Sequence, residues 1–302
     1  YWVRNKMSNE QREVVKLLTG SDNVHVIPTD TVYMTIDKEA VKKSGMMMAA
    51  DSIPDRMVIS LKGKNALYKG DLMMLEMIDR CNWTRPVYVA TTVGQENYMN
   101  LGDNFVQEGL ANRITPFTTN APGAKNFDTK RTYDNMMHKF KYGGLDKPGL
   151  YLDETVMRMC YTHRRLFVQL AMNLMGEGDK TKAAEVLAYA DKMIPEYNVP
   201  VDFNSGSLDQ ARLYIELGQK AKGMDILKKL WTKSEQYLKW YCSLGGMRFA
   251  SAQRDCMLHI FILQQAAMDG ASADREWSEK KLKELDGLVN MYRSKGGTFQ
   301  GQ

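Results

Sequence analysis

Long apolar runs are missing from this 302-residue chain: the longest, Met46-Met47-Met48-Ala49-Ala50 and Ile260-Phe261-Ile262-Leu263, fall well short of the roughly 20 residues of a spanning helix. No segment is therefore expected to cross a bilayer as a helix. Cysteine is scarce: Cys81, Cys160, Cys242 and Cys256 never form C-x-x-C, and no His/Cys cluster has zinc spacing. A structural metal site is not expected. Four cysteines permit two disulfides, but a chain this long builds a core without them, so the redox compartment stays open. With 23 Gly and 8 Pro the chain lies far from collagen-like or low-complexity composition. A block of one charge is also lacking, since residues 1–149 hold 20 basic and 17 acidic groups and residues 150–302 hold 21 and 19. The dense basic face of a nucleic-acid binder is absent, and Lys42-Lys43, His163-Arg164-Arg165 and Lys228-Lys229 read as solvated helix faces. The motifs G-x-S-x-G, G-x-x-x-x-G-K-[ST], H-E-x-x-H and G-x-G-x-x-G do not occur, which argues against several common enzyme classes. No cofactor is implied. Tyr1 replaces an initiating Met without a leader pattern, so the chain reads as a processed product or an excised piece.

What is present divides into two textures. Val24 to Ile27 and Thr31 to Ile36 are β-rich and separated by Pro28, and Met57-Val58-Ile59-Ser60-Leu61 and Pro86-Val87-Tyr88-Val89-Ala90 read as further strands. Between those two, Leu67, Leu72, Met74, Leu75 and Ile78 recur at helical spacing up to Cys81. That order predicts a βαβ unit across residues 57–90 with parallel strands, within a small α/β domain over residues 1–145. Residues 98–110 are expected to be helical, and 114–117 extended. Residues 118–149, rich in Thr, Asn, Asp and Gly with Pro122-Gly123, Gly143-Gly144 and Pro148-Gly149 as turns, read as linker and boundary.

From Asp153, a candidate N-cap, the rest of the chain to residue 302 reads as helices broken at Gly178-Asp179 and Pro195. Phe167, Leu170, Ala171, Leu174, Gly178, Ala183, Leu187, Ala190 and Pro195 resemble the tetratricopeptide repeat at its small, large and breaker positions. Small residues let two antiparallel helices approach while the large ones fill the seam. Ala211, Tyr214, Gly218 and Leu227 repeat four of these offsets, with Gly223 in place of Ala183. The copies lie farther apart than the usual period of about 34 residues, and the excess falls in 195–207, where insertion costs little. Residues 251–268 and 274–292 follow as a terminal hairpin without the signature. The fold expected is thus an α/β N-terminal domain followed by an all-α tetratricopeptide-like repeat domain.

His25, His138, His163 and His259 are scattered and lack a spaced carboxylate or cysteine partner, so structural settings are expected. Asn82-Trp83-Thr84-Arg85-Pro86-Val87-Tyr88 is the most distinctive segment: Trp83, Arg85 and Tyr88 are a candidate glycan- or peptide-stacking corner, weighed against a core Trp beside a strand-entry Pro. Asn82 also stands in an Asn-x-Thr sequon. The 22 methionines most simply fill irregular core gaps.

Ile27-Pro28-Thr29-Asp30, Leu61-Lys62-Gly63, the Asn82 to Tyr88 segment, Glu108-Gly109-Leu110-Ala111 and Asp146-Lys147-Pro148-Gly149-Leu150-Tyr151-Leu152-Asp153 resemble the soluble C-terminal region of bacterial multi-pass membrane proteins. That family is a domain of unknown function, numbered 2723, whose membrane part is similar to protein O-mannosyltransferases. The resemblance implies an extracytoplasmic, periplasmic domain on a glycosyltransferase-like membrane anchor, with the catalytic acid in a membrane loop outside this chain. No catalytic residue carries over. The expectation is a non-enzymatic accessory region meeting a protein or glycan partner, with Arg165, Val168, Met172, Arg212 and Glu216 directed toward a groove formed by the first helix of each pair. The alternatives are an acceptor- or sugar-binding domain acting at Trp83, Arg85 and Tyr88, and a free-standing periplasmic repeat scaffold.

Overall fold

Residues 2–4, 8–20, 25–27, 30–46, 52–64, 66–119 and 125–299 are described by a computed structural model. The breaks expected at Pro28 and Pro122-Gly123 and the placement of Met47-Met48 lie outside the described residues, as does the side chain of His25. The chain divides into two compact units, Tyr1–Asn135 and Met136–Gln302.

Among the described residues, three small sheets make the first unit. Strands β1 (Trp2–Arg4) and β2 (His25–Ile27) run parallel on either side of helix α1 (Asn9–Thr19), with Trp2 opposite His25. A βαβ unit is therefore present, but at the start of the chain. β5 (Ala66–Leu67) joins the free side of β1 in the antiparallel sense. The expected unit over 57–90 is corrected: β4 (Arg56–Ser60) pairs antiparallel with β3 (Thr31–Thr35), and β6 (Tyr88–Ala90) belongs to another sheet, order β6-β8-β7, with β7 at Phe105–Gln107 and β8 at Ala111–Ile114. Alternation placed the strands correctly, since Met57 and Ile59 are buried around exposed Val58. It carries no information about the partner strand.

Helix α2 (Lys38–Lys43) is capped by Asp37, whose carboxylate accepts the amides of Glu39 and Ala40. Helix α3 (Lys69–Cys81) begins with Asp71 Oδ2 accepting the Tyr68 amide at 2.8 Å, and it buries Leu75 and Ile78. These join Met34, Ile59, Leu61 and Leu101 in one core. The helix expected over 98–110 does not form. Met99 and Asn100 take φ of 53° and 58°, outside the helical basin, and short turns deliver the chain into β7. The expected linker instead contains helix α4 (Thr129–Asp134), capped by Asp128, and a wider helical turn over Asn135–Lys139.

The second unit is helical: α5 (Glu154–Gly176), α6 (Lys180–Met193), α7 (Ser207–Glu216), α8 (Lys220–Ser243), α9 (Gly246–Gly270) and α10 (Arg275–Ser294). Asp153, Asp179 and Asp274 cap α5, α6 and α10 through the amides of Val156, Lys182 and Trp277. The repeat recurs at atomic detail. Gly178 (φ 85°) ends α5 while Asp179 N–H donates to Leu174 O at 2.9 Å; forty residues on, Gly218 (φ 80°) ends α7 while Gln219 N–H donates to Tyr214 O at 2.8 Å. Phe167, Leu170, Ala171, Ala183, Leu187, Ala211 and Leu227 are all fully buried, as the signature requires. The Asp146-Lys147-Pro148-Gly149 segment is held by the repeat itself, with Asn198 Nδ2 donating to Leu145 O and Lys147 O and Tyr197 Oη to Asp146 O.

Candidate functional site

The first helices of the three pairs lie in sequence against one another, α5 touching α7 and α7 touching α9. Arg165 and Met172 are exposed on α5, and Arg165 lies against the start of α7, where a Cβ on Gly206 would meet its side chain at 3.5 Å. On α7, Arg212 reaches across to α9, its Nη2 2.9 Å from Asp269 Oδ2 and its Nε 3.3 Å from Oδ1, and it also pairs with Asp209 at 3.0 Å. The fork matches the carboxylate, and this partner, more than any other effect, raises the Arg212 pKa. Glu216 is exposed one turn on. Helix α9 adds Phe261, half-exposed and edge-on to Phe203 at 6.2 Å, and Met268. Among the described residues Arg165 forms no ion pair. Val168 is corrected: at 2% exposure it is buried, and because Leu166 and Leu170, on the far side of the helix from it, are buried too, α5 is covered on more than one side here.

Arg164 was missed within the basic cluster. Its guanidinium is buried and donates to Pro200 O, Ile194 O and Val199 O at 3.1, 2.8 and 2.5 Å, pinning the inserted loop between the first two pairs. Burial lowers its pKa from the ordinary arginine value. The spacing held the signal, since Cys160, Arg164, Phe167, Ala171 and Leu174 form one stripe.

The expected stacking corner comes apart. Asn82 and Trp83 both take left-handed backbone, φ 37° and 65°, and this turn drives the indole into the first unit's core at 6% exposure. Arg85 stays exposed. Tyr88 belongs to a different constellation, donating from Oη to Glu108 Oε2 at 2.7 Å. Glu108 Oε1 lies 3.4 Å from Arg113 Nη1 and 3.3 Å from Arg131 Nε. Both arginines also hold backbone, Arg113 at Ser44 O and Arg131 at Gly45 O. Glu108 and Arg113 are buried, and burial with the neighbouring carboxylate raises the Tyr88 pKa. With the arginines spent on two carboxylates, Glu108 and, for Arg131, also Asp128 at 3.4 Å, and on two carbonyls, the cluster reads as a clamp. His163 Nδ1 donates to Met159 O at 2.8 Å, and His259 stacks on Tyr237 at 5.0 Å, both structural settings. No group of three metal-ligating side chains occurs among the described residues, and no helix there is long and apolar enough to cross a membrane.

Fold and surface together define a small mixed-sheet unit followed by a tetratricopeptide-like stack. Residues 1–133 match the family described as TMEM260-associated domain 2, so the first unit is similar to a domain associated with a membrane protein. No match to the family numbered 2723 accompanies it. No curated protein and no solved structure matches the chain.

Proposed function

We propose that this chain is an extracytoplasmic accessory region of a membrane-embedded, glycosyltransferase-like protein, and that its repeat unit holds an extended segment of a protein partner on the α5, α7 and α9 face. The observation that carries this reading is the charge arrangement there. Arg212 is neutralised between Asp209 and Asp269, whereas among the described residues Arg165 has no carboxylate partner, Met172 two turns along α5 is 45% exposed, and Glu216 stands uncovered on the next helix. Such a face suits a segment with an acidic residue for Arg165, an apolar residue for Met172 and a basic residue toward Glu216. The similarity of residues 1–133 to a domain associated with a membrane protein, and the resemblance of the chain to regions carried by O-mannosyltransferase-like proteins, support the membrane-linked part. The chain itself contributes positioning; the chemistry belongs to the membrane part.

A photo-crosslinking residue at Met172 of the full-length protein in its own membrane tests the surface. Capture of an acceptor protein there, lost on Arg165→Glu and absent from the same probe at exposed Lys280 on α10, is expected. Equal capture at both positions, or none at Met172, contradicts the reading.

A further inference from the structure

The third pair contains two cysteines that the repeat does not use. Cys242 near the end of α8 and Cys256 in α9 are buried at 2% and 0% exposure inside one core, between Leu238, Phe249, Ile260 and Tyr292. The register of the two helices brings them together. Tyr237 and Tyr241 pack on His259 at 5.0 and 5.9 Å, and in the same seam Cys242 and Cys256 are buried in one core as free thiols, near enough for each to act on the other's proton affinity. Cys160, also buried, and Cys81, half-buried, have no such thiol neighbour. We propose that Cys242 and Cys256 are a disulfide-forming pair that cross-links α8 to α9 under oxidising conditions.

The oxidant is a disulfide, either a small molecule or a dithiol oxidoreductase in its oxidised form. One cysteine, as thiolate, attacks the donor disulfide and releases a donor thiolate. The second cysteine then attacks the mixed disulfide, forming Sγ–Sγ and releasing the other donor thiolate. Two protons leave the cysteines and both donor sulfurs are reduced to thiols. In the folded protein this exchange is slow, because burial and its neighbour push the Cys256 thiol up to about 12 and burial raises Cys242. The bond therefore forms as the hairpin closes, before the core excludes the donor.

The chain is unfolded, reduced and refolded in a glutathione redox buffer, then denatured, alkylated and weighed. The expected product carries two alkyl groups, on Cys81 and Cys160, and is about 2 Da lighter than the same doubly alkylated chain with two free thiols, with Cys242 and Cys256 protected and a melting temperature raised by roughly 5–10 °C. The double variant Cys81→Ser/Cys160→Ser gives the same bond, and Cys242→Ala removes it while circular dichroism reports the helices. Alkylation of all four cysteines, glutathione adducts at Cys242 or Cys256, or a bond involving Cys81 or Cys160 overturns the proposal. Refolding in a defined buffer keeps this test independent of the chain's compartment and of the partner-binding face.

Discussion

Gly223 occupies the place that Ala183 holds in the first pair, and the difference is a packing requirement. A Cβ there would lie 2.6 Å from Ile215 Cγ1 and 2.7 Å from Ala211 O, so α7 and α8 approach more closely than a side chain allows. Gly223→Ala is expected to destabilise the second unit by about 1–3 kcal/mol, measured by denaturant unfolding. Gly287 in α10 has open space around its Cα, and Gly287→Ala should stabilise by about 0.5–1 kcal/mol. From sequence the glycine at 223 reads as a weaker match; the clash that explains it depends on interhelical distance, which spacing does not encode. Trp83 teaches the same lesson in reverse, since its direction is set by two left-handed residues in succession. His259 is held neutral, because burial lowers its pKa from 6.5. The unfolded chain then binds the proton more readily, so stability is lost as pH falls below that value. His259→Phe should flatten the fall in melting temperature between pH 7 and roughly pH 5.5; an unchanged slope would assign it to other groups.

At the scale of elements, the six helices of the second unit were legible because each carries an apolar stripe, with an aspartate at three of the starts and a left-handed glycine at three of the stops. Strands were legible as segments, whereas their pairing was not: period-two alternation names a buried face, and β4 and β6 satisfy it equally well in separate sheets. The loop between the first two pairs reads as tolerant of insertion, yet Arg164 fixes it through three carbonyls. Arg164→Met keeps much of the buried volume and leaves those carbonyls unpaired, for an expected loss of about 2–4 kcal/mol. Hydrogen exchange of Ile194 to Ser205 should rise with it, more than in α10. A loop that keeps its protection would show that backbone turns, and not the guanidinium, hold it.

For the whole molecule, two units with different textures carry different information. The first holds a buried charge cluster, and Glu108→Gln should cost about 3–5 kcal/mol by leaving Arg113 poorly compensated, read in the unfolding of that unit. On the second, Arg165, Met172 and Glu216 are exposed and Arg212 is ion-paired, whereas Val168 is buried. Val168 failed because a helix edge between two neighbours is buried from both sides, which a single-helix projection misses. The central claim is that this face, carried beside a membrane-embedded transferase, positions its protein acceptor. The direct measurement is glycan occupancy of acceptor proteins in cells whose full-length protein carries Arg165→Glu with Met172→Asp, compared with Lys280→Glu with Lys283→Glu on α10. At matched abundance and melting temperature, the account predicts occupancy lowered about ten-fold or more by the first pair and unchanged by the second; wild-type occupancy with Arg165 and Met172 both replaced would contradict it.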